Sequence, residues 1–331
     1  MHIHANGIRI EVEDSEALPG AVPGALRPDG QDKPVVLLIM GLGMQLIAWP
    51  DVFVDALVAA GFRVVRFDNR DAGLSEDMGR RGVRTPNPLW YALRSRLGLP
   101  ARPPYTLQDM AEDALGVLDA LGIARAHVVG ASMGGMVAQR VAITAPHRTI
   151  SLTSMISTSG AAGLPGPAPQ VLKALLRPAT AAERAGNEAA LVVRGMRLFQ
   201  LIGSPDHPFD DVQLRASVGA AVRRSVRAQG TLRQLMAVAA DTRRADLLAQ
   251  IRCPALVLHG DADTMLPLAC GADTARRIPG ARLVVLPGMG HLWPDEAYGA
   301  WTAHLLAFLA ECDLAETAGV ATSPAAAAFL Q

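Results

Sequence analysis

Short apolar runs alternate with amphipathic segments along most of the chain. Residues 34–40 form a continuous apolar run ending at Gly41, which is typical of a strand covered on both faces of a parallel sheet. Residues 49–60 instead have the apolar spacing of a helix, which stops at Gly61. The same patterns predict further strands at 8–12, 62–67, 126–129, 150–156, 255–259 and 282–286. Further helices are predicted at 106–121, 133–145, 268–277 and 292–309. This order predicts an α/β fold with a doubly wound, mostly parallel sheet.

The alternation is interrupted between about residues 161 and 250. This segment opens with a stretch rich in Gly and Pro and continues with helical patterns and no strand-like run. We expect it to form a helical cap over the carboxyl edge of the sheet, where ligands bind in such folds. The predicted organisation is a core of residues 1–160 and 251–312, a cap at 161–250 and a flexible tail at 313–331. We expect the cap to set the substrate range without supplying a group that breaks bonds.

Composition and charge exclude several classes of protein. Among 331 residues, half are apolar and 19% are charged, which is ordinary for a globular protein. The 31 basic and 31 acidic residues balance, so nothing indicates nucleic-acid binding. A homo-oligomer is left open.

The cysteines and the hydropathy favour a cytoplasmic protein. Cys253, Cys270 and Cys312 are odd in number and widely spaced, which is typical of a reducing compartment. The first residues have neither the basic nor the apolar region of a secretory signal. No charge-free apolar run reaches about 18 residues, so no membrane span is expected.

The strongest chemical motif is Gly130-Ala131-Ser132-Met133-Gly134, between a predicted strand and a predicted helix. This G-x-S-x-G pattern predicts a nucleophile elbow, a sharp turn that exposes the serine Oγ at the edge of the sheet. The glycines are needed because the residues two before and two after the serine come close together. Ser132 is therefore the candidate nucleophile.

A serine nucleophile needs a base, and on this type of fold a histidine should follow near the carboxyl end of the chain. His291 lies in a glycine-containing loop directly after the last predicted strand. His304 falls inside the final predicted helix, and His259 ends a strand and is interpreted as structural. His291 is therefore the predicted base.

The carboxylate that orients the base should follow the strand at 255–259. The loop Gly260-Asp261-Ala262-Asp263 offers two carboxylates. Asp263 is preferred because it lies farther into the loop, while Asp261 is the alternative and otherwise serves the turn.

The oxyanion hole needs two backbone donors. One is the N–H of Met133, which follows the nucleophile; the other is expected from Leu42 in the loop after the strand at 34–40. Trp90 and Tyr91, in the long loop at 78–105, could equally line the substrate pocket or anchor that loop.

These motifs together resemble the α/β-hydrolase superfamily, over roughly residues 3–312, and within it the capped serine esterases of the aclacinomycin methylesterase type. The matching segments are Ile39-Met40-Gly41, Trp49-Pro50, residues 66–75, residues 127–135, residues 260–263 and Gly290-His291. The resemblance implies the same nucleophile, acid, base and oxyanion donors, a small-molecule ester substrate and no cofactor or metal. It also implies that residues 68–75 form a structural turn. One departure is Met40, where many relatives have a histidine.

The predicted function is therefore hydrolysis of carboxylic esters through a Ser-His-Asp triad and an acyl-enzyme. Alternatives on the same fold are a cofactor-free perhydrolase or haloperoxidase-like enzyme and a short-peptide aminopeptidase. A non-catalytic binding protein is disfavoured because no triad residue is missing. A dinucleotide-binding oxidoreductase is disfavoured because Leu46 stands where the third glycine of that fingerprint would lie.

Overall fold

The structure is a computed structural model that describes residues 1–17, 32–87, 90, 91, 94 and 102–317. Within these residues the strands form one eight-stranded sheet in the order β1-β2-β4-β3-β5-β6-β7-β8. The strands are β1 (His2–Ala5), β2 (Ile8–Asp14), β3 (Val35–Ile39), β4 (Arg63–Phe67), β5 (Ala126–Ala131), β6 (Thr149–Met155), β7 (Ala255–Gly260) and β8 (Arg282–Leu286). The pairs from β4 to β8 are parallel, whereas β1–β2 and β2–β4 are antiparallel. The predicted mostly parallel α/β sheet is confirmed.

Helices connect the strands and form the segment between β6 and β7. The helices of the described residues are α1 (Asp51–Ala59), α2 (Leu107–Ala120), α3 (Met133–Thr144), α4 (Pro169–Leu176), α5 (Ala181–Arg184), α6 (Glu188–Ile202), α7 (Asp211–Arg224), α8 (Ala228–Ala240), α9 (Arg244–Leu247), α10 (Leu268–Arg277) and α11 (Tyr298–Thr317). Short 3-10 turns lie at Leu46–Ala48, Pro146–Arg148, Leu248–Gln250 and Asp295–Ala297. Helix α2 begins with the capping box of Thr106 and Asp109.

The core has two layers because both faces of the sheet are covered. Along β3, Leu37 and Ile39 belong to one buried cluster, with α2 and α3, while Val36 and Leu38 belong to the other, with α1 and α11. Side chains alternate between the faces of a strand, so a strand between two helical layers must be apolar at every position. This explains the continuous apolar run.

The main differences from the sequence predictions lie near the two ends of the chain. Strand β1 was not predicted, since its alternation of His and apolar residues is only four residues long. Helix α11 begins at Tyr298, six residues after the predicted start at 292, because Pro294 and a 3-10 turn precede it. It continues to Thr317, so residues 313–317, which the sequence assigned to the tail, are helical; the rest of that tail lies outside the described residues.

The segment between β6 and β7, which we call the insertion, contains helices α4 to α9. It has a small apolar cluster of its own, formed by Val192, Met196, Leu214 and Val218. The turn after β4 connects to it through ion pairs, because Asp68 binds Arg224 at 2.6 Å and Asp71 binds Arg233 at 2.6 Å. The contacts of residues 68–75 are thus those of a structural turn.

Tyr91 and Trp90 have different surroundings. The Tyr91 hydroxyl donates to the carbonyl of Met236 in α8 at 3.2 Å, and the residue is buried. Trp90 is 59% exposed. These contacts favour the anchoring interpretation for Tyr91.

Candidate active site

The turn from β5 into α3 has the backbone that a nucleophile elbow requires. Ser132 adopts φ 55° and ψ −120°, a strained conformation for a residue with a side chain. A Cβ at Gly130 would lie 2.1 Å from the carbonyl oxygen of Gly134, and one at Gly134 would lie 2.0 Å from that of Ile39. Only glycine fits at these two positions. The sharp turn that the glycines allow places the Ser132 side chain at the carboxyl edge of the sheet.

Ser132, His291 and Asp263 form a continuous hydrogen-bonded chain. The Ser132 Oγ lies 3.0 Å from His291 Nε2, and His291 Nδ1 lies 2.8 Å from Asp263 Oδ2. Both the histidine and the aspartate are buried, whereas Ser132 is partly accessible. The three residues follow β5, β8 and β7, whose carboxyl ends meet at one edge of the parallel sheet. The structure thus brings together the three residues that the sequence selected.

The two carboxylates of the β7 loop have different partners. The second oxygen of Asp263, Oδ1, accepts the backbone N–H groups of Met265 and Leu266 at 2.8 Å each. Asp261 is exposed and its Oδ1 accepts the N–H of Gly288 at 2.8 Å. Asp263 therefore faces the imidazole, while Asp261 connects the loops after β7 and β8.

His259 lies next to Asp263 and is hydrogen-bonded to the loop that carries this aspartate. Its Nε2 is 2.7 Å from the carbonyl oxygen of Leu266 and 3.5 Å from Asp263 Oδ2. Burial lowers the pKa of His259, so the imidazole stays neutral near neutral pH and donates to the carbonyl. A Cβ at Gly271 would lie 2.4 Å from this ring, so α10 can pack here only with glycine. The contacts of His259 are structural, as the sequence indicated, and His304 is exposed on α11.

The two predicted oxyanion donors belong to segments that adjoin Ser132. Met133 is the first residue of α3, where backbone N–H groups lack a carbonyl partner within the helix. A Cβ at Gly41 would lie 3.2 Å from the Ser132 Cβ, so the loop that carries Leu42 packs directly against the serine. Asn69 supports this loop by donating its side-chain amide to the carbonyl of Met40 at 2.8 Å.

The insertion supports the loop of the base. The N–H of His291 donates to the carbonyl of Ile202 at 2.9 Å. The Ser204 Oγ accepts the N–H of Gly290 and donates to the carbonyl of Leu292, both at 2.9 Å. Sequence reasoning did not identify Asn69 or Ser204, because each acts on a loop that is remote along the chain and no local motif marks it.

The described residues provide neither a metal site nor a helix suited to crossing a membrane. Across residues 1–17, 32–87, 90, 91, 94 and 102–317, no group of three or more His, Cys, Asp or Glu side chains has a geometry that could hold a metal ion. Within the same part of the chain, no helix combines the length and the apolar character needed to cross a membrane.

The chain is similar in sequence to a known family of proteins. The model of the alpha/beta hydrolase fold matches residues 34–298. The chain is 30% identical to the rhodomycin D methylesterase of Streptomyces sp. (strain C5) over 283 residues, which cover 80% of this chain and 87% of that protein. It is also 30% identical to the rhodomycin D methylesterase of Streptomyces peucetius over 284 residues, with the same coverage.

Solved structures show the same fold at lower sequence identity. The enol-lactonase of Burkholderia xenovorans LB400 is similar at a TM-score of 0.66 and 23% identity, covering 94% of this chain and 100% of that one. The thermophilic esterase of Thermogutta terrifontis matches at a TM-score of 0.66 and 22% identity, covering 94% of this chain and 98% of that one. With a family match over most of its length and these relatives, the chain belongs to the alpha/beta hydrolase fold family.

Proposed function

We propose that this protein is a carboxylic ester hydrolase that uses Ser132 as nucleophile, His291 as base and Asp263 as the residue that orients the base. The observation that carries the proposal is the chain of hydrogen bonds from Asp263 Oδ2 through the imidazole to the Ser132 Oγ, at 2.8 and 3.0 Å. The family and the methylesterase relatives support ester hydrolysis as the reaction.

Acylation begins with attack of the Ser132 Oγ on the carbonyl carbon of the ester. His291 Nε2 takes the hydroxyl proton as the C–O bond forms, and the carbonyl oxygen becomes an oxyanion. The N–H groups of Met133 and Leu42 stabilise that charge. The tetrahedral intermediate then expels the alcohol, which receives the proton from His291, and an acyl-enzyme on Ser132 remains.

Deacylation repeats the sequence with water as the nucleophile. His291 removes a proton from the water, whose oxygen attacks the acyl carbon, and the second oxyanion occupies the same hole. Collapse of this intermediate returns the proton to the Ser132 Oγ and releases the carboxylic acid. Asp263 holds the imidazole so that Nδ1 carries its proton and Nε2 faces the serine, and it stabilises the imidazolium formed in each half-reaction.

We expect a small-molecule ester, with methyl esters as the first candidates. Methyl esters are chosen because the two Streptomyces relatives are named methylesterases, and the match covers 87% of each of those proteins. Shape and size of the acid portion depend on the insertion, which faces the carboxyl edge of the sheet and contacts the His291 loop.

The test combines a substrate panel with chemical labelling of the nucleophile. Methyl and p-nitrophenyl esters of increasing acyl length are assayed beside a proline amide and a peracid-forming reaction. We expect ester turnover to exceed the other two activities, a fluorophosphonate to label Ser132, and Ser132→Ala to lose both turnover and labelling while remaining folded.

A matched serine variant serves as the control. Ser225→Ala removes a hydroxyl in the insertion whose one side-chain hydrogen bond within the described residues is accepted from Arg227 Nε at 3.3 Å, and it should keep turnover and labelling. Labelling of another serine with loss of activity would refute the assignment of Ser132. Preference for the amide or the peracid reaction would instead favour the aminopeptidase or perhydrolase alternative.

A further inference from the structure

Helix α8 belongs to the insertion, yet one of its faces is built into the core. Gly230, Arg233, Gln234 and Ala237 recur at the spacing of one helical face, and all four are buried. A Cβ at Gly230 would lie 2.3 Å from the carbonyl oxygen of Asp71, so the helix approaches the backbone of the core closely. This contact leaves α8 little freedom to move away from the core.

Both ends of the Gln234 side-chain amide have backbone partners in the core. Its Oε1 accepts the N–H of Gly43 at 2.8 Å, and its Nε2 donates to the carbonyl of Arg70 at 2.7 Å. The side chain is fully buried. A buried amide with two backbone partners has a well-defined position, since the loss of either bond would leave a buried polar group unpaired.

Gly43, whose N–H donates to the Gln234 Oε1, lies in the loop that carries the proposed oxyanion donor Leu42. This loop is held at its start by Asn69, which binds the Met40 carbonyl, and at its end by Gln234, which binds the Gly43 N–H. Leu42 lies between these two attachments. Gly43 has φ +67°, and a Cβ there would lie 2.8 Å from the Thr231 Oγ1 of α8, so the helix also packs against this end of the loop.

We infer that Gln234 is a positioning residue for the oxyanion hole. The inference rests on the proposed function and adds that the insertion takes part in bond breaking through the Leu42 loop. Donors of an oxyanion hole act only when they are aimed at the developing charge before the reaction. Without the Gln234 Oε1, the partly buried Gly43 N–H must turn toward another acceptor, and the Leu42 N–H moves with it.

The decisive variant is Gln234→Met, which keeps the length of the side chain but removes both hydrogen-bonding groups. Loss of a whole oxyanion donor lowers kcat by about 10²–10³-fold. Misplacement of one donor should have a smaller effect, a fall in kcat of roughly 10- to 100-fold with KM within about twofold of wild type. A smaller folded fraction would also lower the apparent kcat at unchanged KM, so kcat is expressed per folded enzyme, with the folded fraction taken from thermal unfolding.

Gln45→Met is the matched control. Gln45 is a buried glutamine at the same boundary, and its Nε2 donates to the carbonyls of Ala221 and Ser225 at 2.7 and 2.9 Å. Its Oε1 also accepts from Arg224 Nη1 at 2.8 Å. Gln45 therefore attaches the far end of the loop, next to the 3-10 turn at Leu46–Ala48, to the insertion, and these side-chain hydrogen bonds involve neither Gly43 nor Leu42. We expect kcat of Gln45→Met to stay within about threefold of wild type, with both variants checked by circular dichroism and thermal unfolding.

Three kinetic outcomes would overturn the inference. They are a folded Gln234→Met with kcat within about twofold of wild type, a rise in KM with unchanged kcat, and equal losses of kcat in Gln234→Met and Gln45→Met. If Gln234→Met does not fold, Gln234→Asn, which keeps the amide but cannot reach both partners, is judged by the same criteria.

The rate of Ser132 labelling by a fluorophosphonate separates this inference from the proposed function. The phosphoryl oxygen of the reagent uses the same donors, so Gln234→Met should be labelled at least tenfold more slowly and Gln45→Met at the wild-type rate. If the wild-type protein is labelled but hydrolyses no ester, the proposed function fails while this comparison still decides the role of Gln234. Equal labelling rates would refute that role, and an unlabelled wild-type Ser132 would refute both proposals.

Discussion

At the scale of single residues, the loop after β7 shows how two similar side chains acquire different roles. Asp263 accepts two backbone N–H groups with Oδ1, and this turns Oδ2 toward the His291 Nδ1. Asp261, two residues earlier, is exposed and accepts the Gly288 N–H. The difference lies in direction, because a loop can aim only one of the two carboxylates at the imidazole.

Asp263→Asn should lower kcat by about 10⁴-fold, because the amide favours the wrong tautomer of His291. Asp261→Asn keeps an oxygen that can accept the Gly288 N–H, so its kcat should stay within a few-fold of wild type. Steady-state kinetics on one ester measures both. The reverse ranking would transfer the orienting role to Asp261.

At the scale of elements, the insertion contacts two loops of the proposed active site. Helix α8 contacts the Leu42 loop through Gln234, and the residues that end α6 contact the His291 loop through the Ile202 carbonyl and the Ser204 hydroxyl. The expectation that the insertion supplies no reacting group still agrees with the geometry, since the proposed triad and oxyanion donors lie outside it. Because the insertion contacts both loops, a change in its position should change their geometry.

Ser204→Ala tests the contact at the base. The change removes the acceptor of the Gly290 N–H and the donor to the Leu292 carbonyl, so the loop on which His291 lies should become less ordered. We expect kcat to fall by roughly tenfold with a small change in KM, since a base displaced by about 1 Å loses efficiency. The control is Ser225→Ala, whose kcat should match that of the wild type. If Ser204→Ala also had the wild-type kcat, the His291 loop would keep its position without Ser204 and the prediction would be wrong.

At the scale of the whole molecule, the two-layered core places histidines where water does not reach. His127 on β5 is fully buried, with its Nδ1 2.8 Å from the Ser151 Oγ. Burial lowers the pKa of His127 to about 4, whereas an unfolded chain has a histidine pKa near 6.5. Between these two values the unfolded state binds more protons, so acidification must favour unfolding.

The stability of the protein should therefore fall as the pH is lowered from about 6.5 toward 4. His127 alone should reduce the free energy of unfolding by roughly 2 kcal/mol between pH 7 and pH 5. Guanidinium unfolding at both pH values measures the loss, and His127→Gln should lose less than wild type by about that amount. His147→Gln, at an exposed site, is the control and should keep the wild-type pH dependence. An unchanged pH dependence in His127→Gln would contradict the assignment.

Much of the fold could be predicted from local pattern. Helix α10 and strand β8 have the predicted bounds, 268–277 and 282–286, and the other connecting strands differ by one or two residues. The predictions failed for a very short strand and for the start of a helix that follows a proline. Strand β1 is too brief for alternation to be informative, and α11 starts after a proline turn that interrupts the apolar spacing.

The sequence by itself determined the sheet with its helices and the elbow at Ser132, because strand and helix periods and the glycines of a sharp turn depend on neighbouring residues. It also selected His291 and Asp263, through the order of triad residues on this type of fold and their places in the loops after two predicted strands. Only the tertiary structure decided how the loops of the proposed active site are held. Gln234 and Gly43 are 191 residues apart, and Ser204 and Gly290 are 86 apart. Such pairs form only after the insertion packs on the sheet, since hydrogen bonds between remote loops depend on the three-dimensional approach of backbones, which no local periodicity encodes.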